Sequence, residues 1–350
     1  MSDQRPVPRR PTLADVAAAA GVSRATASRA MSEGPNVSAA ARERVWAAVD
    51  RLGFEPNHLA RSLRRGSTMA VGLVVPDVAV AFYARALKGA QEVLEDAGYH
   101  VLVINTERSA ERESDALRTL RGHQVDGLIL ATSGGYRDIG VPAVFFDNVP
   151  IDVADGAVAL CNEEGIGVLV EHLATRHDHE RIAYVGPPPG IFPADVPSVH
   201  RTGRERLDGF RSAMGRAGLP LPPELVRLAD VALTDTVASD ITRELLALDP
   251  APTAIVAGSD TLAMGVLDGA RRHGARVPDD LAMVSFDEPT YAELLDPPVT
   301  SLDRHDAELG RRSAALLLAA MGPGNGAPPR GVERVALELR VRRSCGCPAA

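Results

Sequence analysis

Up to about residue 53 the apolar positions recur at helical spacing in three short stretches. From residue 69 short apolar runs alternate with amphipathic helical patterns instead. In the first regime, Thr12-Leu-Ala-Asp15 fits a helix start, the Thr12 hydroxyl capping the first turn and Asp15 favoured near the positive end of the helix dipole. This helix runs to about Ala20. Gly21 breaks it, Val22 plugs a small core, and Ser23 caps a second helix from Arg24 to about Met31. A third helix follows Ser38, with Ala41, Val45, Ala48, Val49 and Leu52 at helical spacing, and Gly53 supplies its stop. Two short helices joined by a tight glycine-containing turn predict a helix-turn-helix over residues 1–56. Pro56 then disfavours helical geometry at Glu55, and Asn57 to Arg65 suffice for about two turns ended by Gly66. A helix that short is marginal alone, so residues 57–67 are expected to be a hinge that folds only when something supports it.

The second regime predicts parallel strands with crossover helices. MAVGLVVPD, HVLVINT, VDGLILAT and VPAVFFDN form one set, and RIAYVGPP, RLADV, TAIVAGSD and LAMVSFDE form another. The expected fold is an α/β core of two doubly wound parallel-sheet subdomains behind an N-terminal all-α helix-turn-helix domain. The core is expected over 68–345, with a first subdomain of 68–161 plus 304–327 and a second of 162–303 plus 328–345. Ligands of such sheets sit beyond the carboxyl ends of the strands. The residues there are Asp147, Ser259, Asp260 and Asp287, with Arg206 near the start of a following helix. Carboxylates and a guanidinium suit the hydroxyls of a sugar or nucleoside, and Phe82 or Phe286 can stack on an apolar ring face. Taken singly, each polar residue is equally a structural or helix-capping group, and Asp260, preceding a helix, fits a cap.

Composition removes several classes. The chain has 350 residues, 45% hydrophobic and 24% charged, and no apolar run nears the roughly 18 to 20 residues a membrane span needs. Basic residues in MSDQRPVPRRPT precede no apolar stretch, so no secretory signal is expected and the cytoplasm is. The net charge of −8 argues against a nucleic-acid binder until it is divided along the chain. Residues 1–66 hold 11 Arg and no Lys against 6 acidic residues, a net +5, and the rest holds 27 basic against 40 acidic, a net −13. A basic head on an acidic body can neutralise phosphates where it touches them and limits sticking elsewhere. In the major groove, the N-terminal side chains of the second helix would face base edges: Arg24, Ala25, and Arg29 one turn later. Ser23, Thr26 and Ser28 suit phosphates. By themselves, these residues equally fit a small solvated three-helix domain.

The segment TLADVAAAAGVSRATASRAMSEGPNVSAAARERVWAAVDRLGFEPNHLARSLRRGST resembles a LacI/GalR-family head nearly end to end, and the resemblance continues through the core. It implies a repressor with a periplasmic-binding-protein-like core whose affinity for a palindromic double-stranded operator is set by a small effector, possible classes being a carbohydrate or nucleoside. Thr12 belongs to the expected DNA-contacting set. Arg24, Ala25 and Arg29 fall on base-reading positions, and PNHLARSL, with Asn57, Ala60 and Leu63, falls on the hinge helix. There Leu63 from each of two subunits would wedge into a minor-groove step. Arg206 in RERLDGF and Asp287 in VSFDE fall on effector-holding positions, with a looser match at Asp147. Departures are Ser32, Val80-Ala81 and Ser259, where Asn, Asn-Pro and Asn are frequent, Arg304 in place of Gln, and a long segment between Gly186 and Arg204.

Enzyme signatures are lacking: there is no GxGxxG opening a helix after a strand, no phosphate loop and no GxSxG elbow. No catalytic residue, cofactor or metal is expected. His177-Asp178-His179-Glu180 superficially resembles a metal cluster and is taken as a polar loop. Cys345-Gly-Cys347 offers too few ligands for a metal, and with Cys161 alone the cysteines suit a reducing compartment. The alternative function is an extracytoplasmic solute-binding protein or a sensor with no DNA role, against which the head argues. CGCPAA carries no leucine-rich tail, so a homodimer is expected.

Overall fold

Thr12 and Asp15 close a reciprocal capping box over α1 (Leu13–Ala20) in the computed structural model. The structure describes residues 11–31, 36–54, 67–132, 134, 136, 139–150, 153, 156–189, 201–229, 234–322 and 331–348. The chain divides into two units, residues 1–68 and 69–350.

In the first unit α1 is followed by α2 (Arg24–Met31) and α3 (Ala39–Leu52). Gly21 takes φ 64°, left-handed geometry that lets its N–H reach the carbonyls of Ala17 and Ala18 and end α1. Ser23 Oγ accepts from the Thr26 N–H at 3.0 Å, so the expected cap of α2 is formed. Val16, Ala27, Ala30 and Val45 are fully buried, and Val22 packs against them. Two remaining carbonyls at the end of α1 are met from α3: Arg44 Nε donates to Ala20 O at 3.2 Å and Arg51 Nη2 to Ala19 O at 3.4 Å. Ser32 and the hinge residues Asn57, Ala60 and Leu63 lie outside the described residues.

The second unit holds two six-stranded sheets. The first contains β1 (Ala70–Val75), β2 (His100–Asn105), β3 (Gly127–Leu130), β4 (Ala143–Phe146), β5 (Ala157–Leu160) and β11 (Val332–Val335), in the order β11-β5-β4-β3-β1-β2, all parallel. Its helices are α4 (Ala81–Asp96), α5 (Ala110–Gly122) and α10 (Asp306–Met321). The second contains β6 (Ile182–Gly186), β7 (Val226–Leu228), β8 (Ala254–Ala257), β9 (Ala282–Ser285), β10 (Thr300–Asp303) and β12 (Glu338–Arg340), in the order β12-β10-β9-β8-β6-β7. All neighbours are parallel except β12, which runs against β10. Around it lie α6 (Asn162–Arg176), α7 (Arg201–Arg216), α8 (Thr234–Leu246) and α9 (Asp260–His273). Buried strands such as Gly127–Leu130 and Ala254–Ala257 are apolar throughout because helices cover both faces.

The chain passes between the two halves three times. The first two passages fall at Cys161 and at Arg304-His305. The third corrects the boundary at residue 328. Val332–Val335 pairs with Ala157–Leu160 in the first sheet, and the chain enters the second only at β12. Two strands thus lie in a segment assigned to one subdomain.

Helices α4 and α10 approach so closely that only glycine fits at two positions. A Cβ on Gly89 would lie 1.9 Å from Ala307 O, and one on Gly310 would lie 1.9 Å from Ala86 O. Overpacking of this kind costs about 1 to 3 kcal/mol or more. We therefore expect Gly89→Ala and Gly310→Ala to lower the urea midpoint of the core. Gly122→Ala, where a Cβ meets nothing within 4 Å, should stay within about 0.5 kcal/mol of the parent.

Candidate functional site

On α2 the buried face is Ala27 and Ala30, which turns Arg24, Ala25 and Arg29 outward as exposed residues. Ser23 is exposed and Thr26 and Ser28 are half-buried. Ser23 Oγ and Thr26 Oγ1 lie 2.9 Å apart, and Arg29 Nε donates to Ala25 O at 3.3 Å, which lays its side chain along the helix. The Thr12 hydroxyl donates to the Asp15 carboxylate at 2.7 Å as part of the cap. The segment Ser23 to Arg29 therefore offers two arginines, a methyl group and three hydroxyls over about two turns.

In the second unit the carboxyl ends of both sheets meet at a cleft with a cavity of about 110 Å³, lined among others by Phe82, Asp147, Arg206, Asp260, Asp287 and Arg304. Its electrostatics centre on Arg304, which follows β10. Arg304 Nη1 donates to Asp287 Oδ1 at 2.6 Å, and its Nε lies 3.2 Å from Asp306 Oδ1. All three side chains are at most 10% exposed, so these charges interact with little screening. Burial alone would lower the pKa of the guanidinium, and the carboxylates of Asp287, Asp306 and Asp147 outweigh it and raise it. The Arg304 guanidinium also stands 4.3 Å over the Phe82 ring.

Arg206 is held from the other side. Its Nη1 donates to Gly258 O at 2.7 Å, its Nε to Asn162 Oδ1 at 3.0 Å, and Nη1 lies 3.5 Å from Asp287 Oδ1. Asn162 in turn donates to Glu205, which Arg334 on β11 grips with two bonds of 2.9 and 2.6 Å. A continuous polar chain thus links a strand of the first sheet to the guanidinium in the cleft.

Asp147 is the least compensated group. It adopts φ 55° and is 8% exposed, and Tyr83 Oη donates to its Oδ2 at 3.3 Å. Among the described residues no guanidinium lies within ion-pair distance of it. Burial pushes its carboxyl up to about 6, against the pull of Arg206 and Arg304. Burial, and then Asp287, likewise raise Asp260.

Phe82, Asp147, Arg206, Ser259 and Asp287 all line the cavity. Phe286 does not: it is fully buried, and the Arg206 guanidinium covers its ring at 3.8 Å, so its face is unavailable to a ligand. The cap of α9 is Ser259, whose Oγ accepts from the Leu262 N–H at 3.2 Å, and not Asp260, whose carboxylate accepts from its neighbour Thr261. Val80 stands at the N-cap of α4 and makes no side-chain cap. Arg304, Tyr83, Asn162 and the Glu205–Arg334 pair are the residues that sequence reasoning missed. Only Arg304 carried a signal, as a departure from the usual Gln. A wider groove of about 920 Å³ runs beside α10, but its outer wall includes Tyr291 and Leu294, 72% and 80% exposed, and it encloses nothing. Groups of metal-donor side chains among the described residues lie outside the cleft.

Residues 12–57 match the family described as bacterial regulatory proteins, lacI family, and residues 170–345 match a periplasmic binding protein-like domain. The chain is 32% identical to the ribose operon repressor of Halalkalibacterium halodurans over 88% of this chain and 89% of that protein. Among solved structures it is similar to the lac repressor dimer bound to operator and the anti-inducer ONPF, with TM-score 0.82, 26% identity, and 96% of this chain and 99% of that one covered. It is also similar to the transcriptional regulator CelR–cellobiose complex, with TM-score 0.69, 30% identity, and 96% and 100% covered.

The titration of Asp147 has a definite sign. Its pKa is about 6 in the folded core and about 3.9 in an unfolded chain. The folded state therefore holds the extra proton in that window, and its stability falls as pH rises through about 6, by about 3 kcal/mol in all. Asp147→Asn removes this slope. Urea titrations from pH 4 to 7 should show the variant gaining on the parent by about 2 kcal/mol, whereas a constant difference would mean that Asp147 is ionised throughout.

Proposed function

Since the chain belongs to the lacI family of bacterial regulatory proteins, we propose that it is a sequence-specific DNA-binding transcription regulator of the repressor kind, controlled by a small polyhydroxylated effector. The observation that carries the control is the cleft between the sheets. Asp147 supplies a buried acceptor opposite the guanidinium donors Arg206 and Arg304. Sugar and nucleoside hydroxyls both donate and accept, so they suit such a mixed lining. The cellobiose complex of the similar CelR regulator supports the carbohydrate class. Ligand sites usually hold roughly 300 to 1,000 Å³, so seating an effector requires Arg304 to swing or the halves to part. Parting the halves strains the Glu205–Arg334 link across them. That link is how ligand occupancy would be transmitted, and coupling of about 1 to 3 kcal/mol changes operator occupancy 5- to 150-fold.

On the DNA side, Arg24, Ala25 and Arg29 read bases, and Ser23, Thr26 and Ser28 hold phosphates. Thr12 contributes by capping α1. The proposed hinge, residues 57–67 with Asn57, Ala60 and Leu63 as the minor-groove wedge, lies outside the described residues apart from Ser67. One head covers only about 600 to 1,000 Å² of DNA, so the working unit is a dimer on a palindrome, as in the lac repressor dimer bound to operator. No helix among the described residues is long and apolar enough to cross a membrane. The proposed setting is the cytoplasm, and the proposed activity is binding without catalysis.

Two experiments test this reading. Selection of genomic fragments at fixed salt should return a palindrome, and Arg24→Ala should weaken it by about 1 to 3 kcal/mol while relaxing preference at one position per half-site. A loss equal for all sequences would make Arg24 a phosphate contact. A thermal-shift panel of sugars and nucleosides should give at least one saturable shift that Arg206→Ala removes. A flat response across both panels would count against the effector class.

A further inference from the structure

Helix α6 carries His172 just before its last turn and ends with His177 at its C-cap. The last turn of the described chain, residues 343–346, brings Cys345 and Cys347 beneath it. Cys345 Sγ lies 3.3 Å from His172 Nε2, and Cys347 Sγ lies 3.2 Å from His177 Nε2 and 3.9 Å from His172 Nε2. All four donor atoms fall within 4.8 Å of one another. Gly346 makes this possible. At φ 98° it turns the chain so that both flanking sulfurs face the helix end, and a Cβ there would press on His177 Nδ1 at 3.3 Å.

We propose that His172, His177, Cys345 and Cys347 form a structural site for one tetrahedral Zn²⁺ ion, tying the C-terminal turn to α6. With bonds of about 2.3 Å to sulfur and about 2.1 Å to nitrogen, the donors around a tetrahedral zinc stand roughly 3.3 to 3.8 Å apart. The three sulfur–nitrogen separations here bracket that range. Thiol–imidazole hydrogen bonding explains the cluster less well. Such bonds are weak, because sulfur is a poor donor and a poor acceptor. Two thiolates and two neutral imidazoles around a divalent cation are charge-neutral, which suits a half-buried position, and a tetrahedral S₂N₂ set favours zinc. Support around the ligands is in place: Thr300 Oγ1 donates to Cys345 Sγ at 3.1 Å, and Cys345 itself is fully buried in the core. Four protein ligands leave no open position, so the site is structural and not hydrolytic. It stands apart from the effector cleft, since His172 lies ten residues along α6 from Asn162, roughly 15 Å at the helical rise.

The test uses the full chain, reduced without chelating thiols, given one equivalent of Zn²⁺ and desalted. Retention of one zinc per chain is expected, with two of the three cysteines protected from a thiol reagent until a chelator is added. Co²⁺ in its place should give the intense visible bands and the thiolate charge transfer of a tetrahedral site. Cys347→Ser and His177→Gln should lower zinc affinity by at least the roughly 10- to 100-fold seen for second-shell changes. Both positions are half-buried at a chain turn, so the fold should tolerate them. Negligible retained zinc with all three thiols reactive, a pale octahedral cobalt spectrum, or undiminished zinc in both variants would each overturn the proposal. The last result would move the metal to the group of Asp303, His305 and Glu338.

Discussion

A buried arginine is expensive to desolvate, and the second unit is arranged around meeting that cost at Arg304. The guanidinium stands in the link that leaves the second sheet and enters α10 of the first half. It takes Asp287 from the end of β9 and Asp306 from the start of α10. Each carboxylate has a second guanidinium beside it, Arg206 at 3.5 Å from Asp287 and Arg85 at 2.7 Å from Asp306, so the charges form one connected set, and breaking a buried set of this kind costs up to about 3 to 5 kcal/mol. The pairing therefore sets where the two halves meet and what an entering ligand must displace. Asp147, left outside the pairing, is the group with acceptor capacity to give.

The broad architecture was legible because its signals are local. Alternating apolar runs and amphipathic helices announce parallel sheets, and Thr12, Gly21, Ser23, Ser38 and Gly53 fall at helix ends in the structure because caps depend on neighbouring residues only. The third passage was not legible. In GVERVALELRVRRS two short strands follow one another with similar alternation, and a period of two residues cannot say which sheet a strand joins.

The cleft was legible wherever position after a strand sufficed, as for Asp147 and Asp287. It failed where partners decide. Phe286 is apolar and follows a strand, but Arg206 comes 80 residues earlier in the chain and takes its ring face. Ser259 and Asp260 are adjacent and both suited to capping, so the backbone and not composition chose between them. The histidines of α6 and the terminal cysteines are more than 160 residues apart, a distance at which spacing rules carry no information.

The three passages at Cys161, Arg304-His305 and the turn between β11 and β12 have a mechanical consequence. Two bodies joined by one strand can twist, slide and tilt, whereas three covalent links shared between them restrict the relative movements open to each half. Whatever opens the cleft must act within that restriction, so the covalent path itself narrows the ways in which a small ligand can be reported.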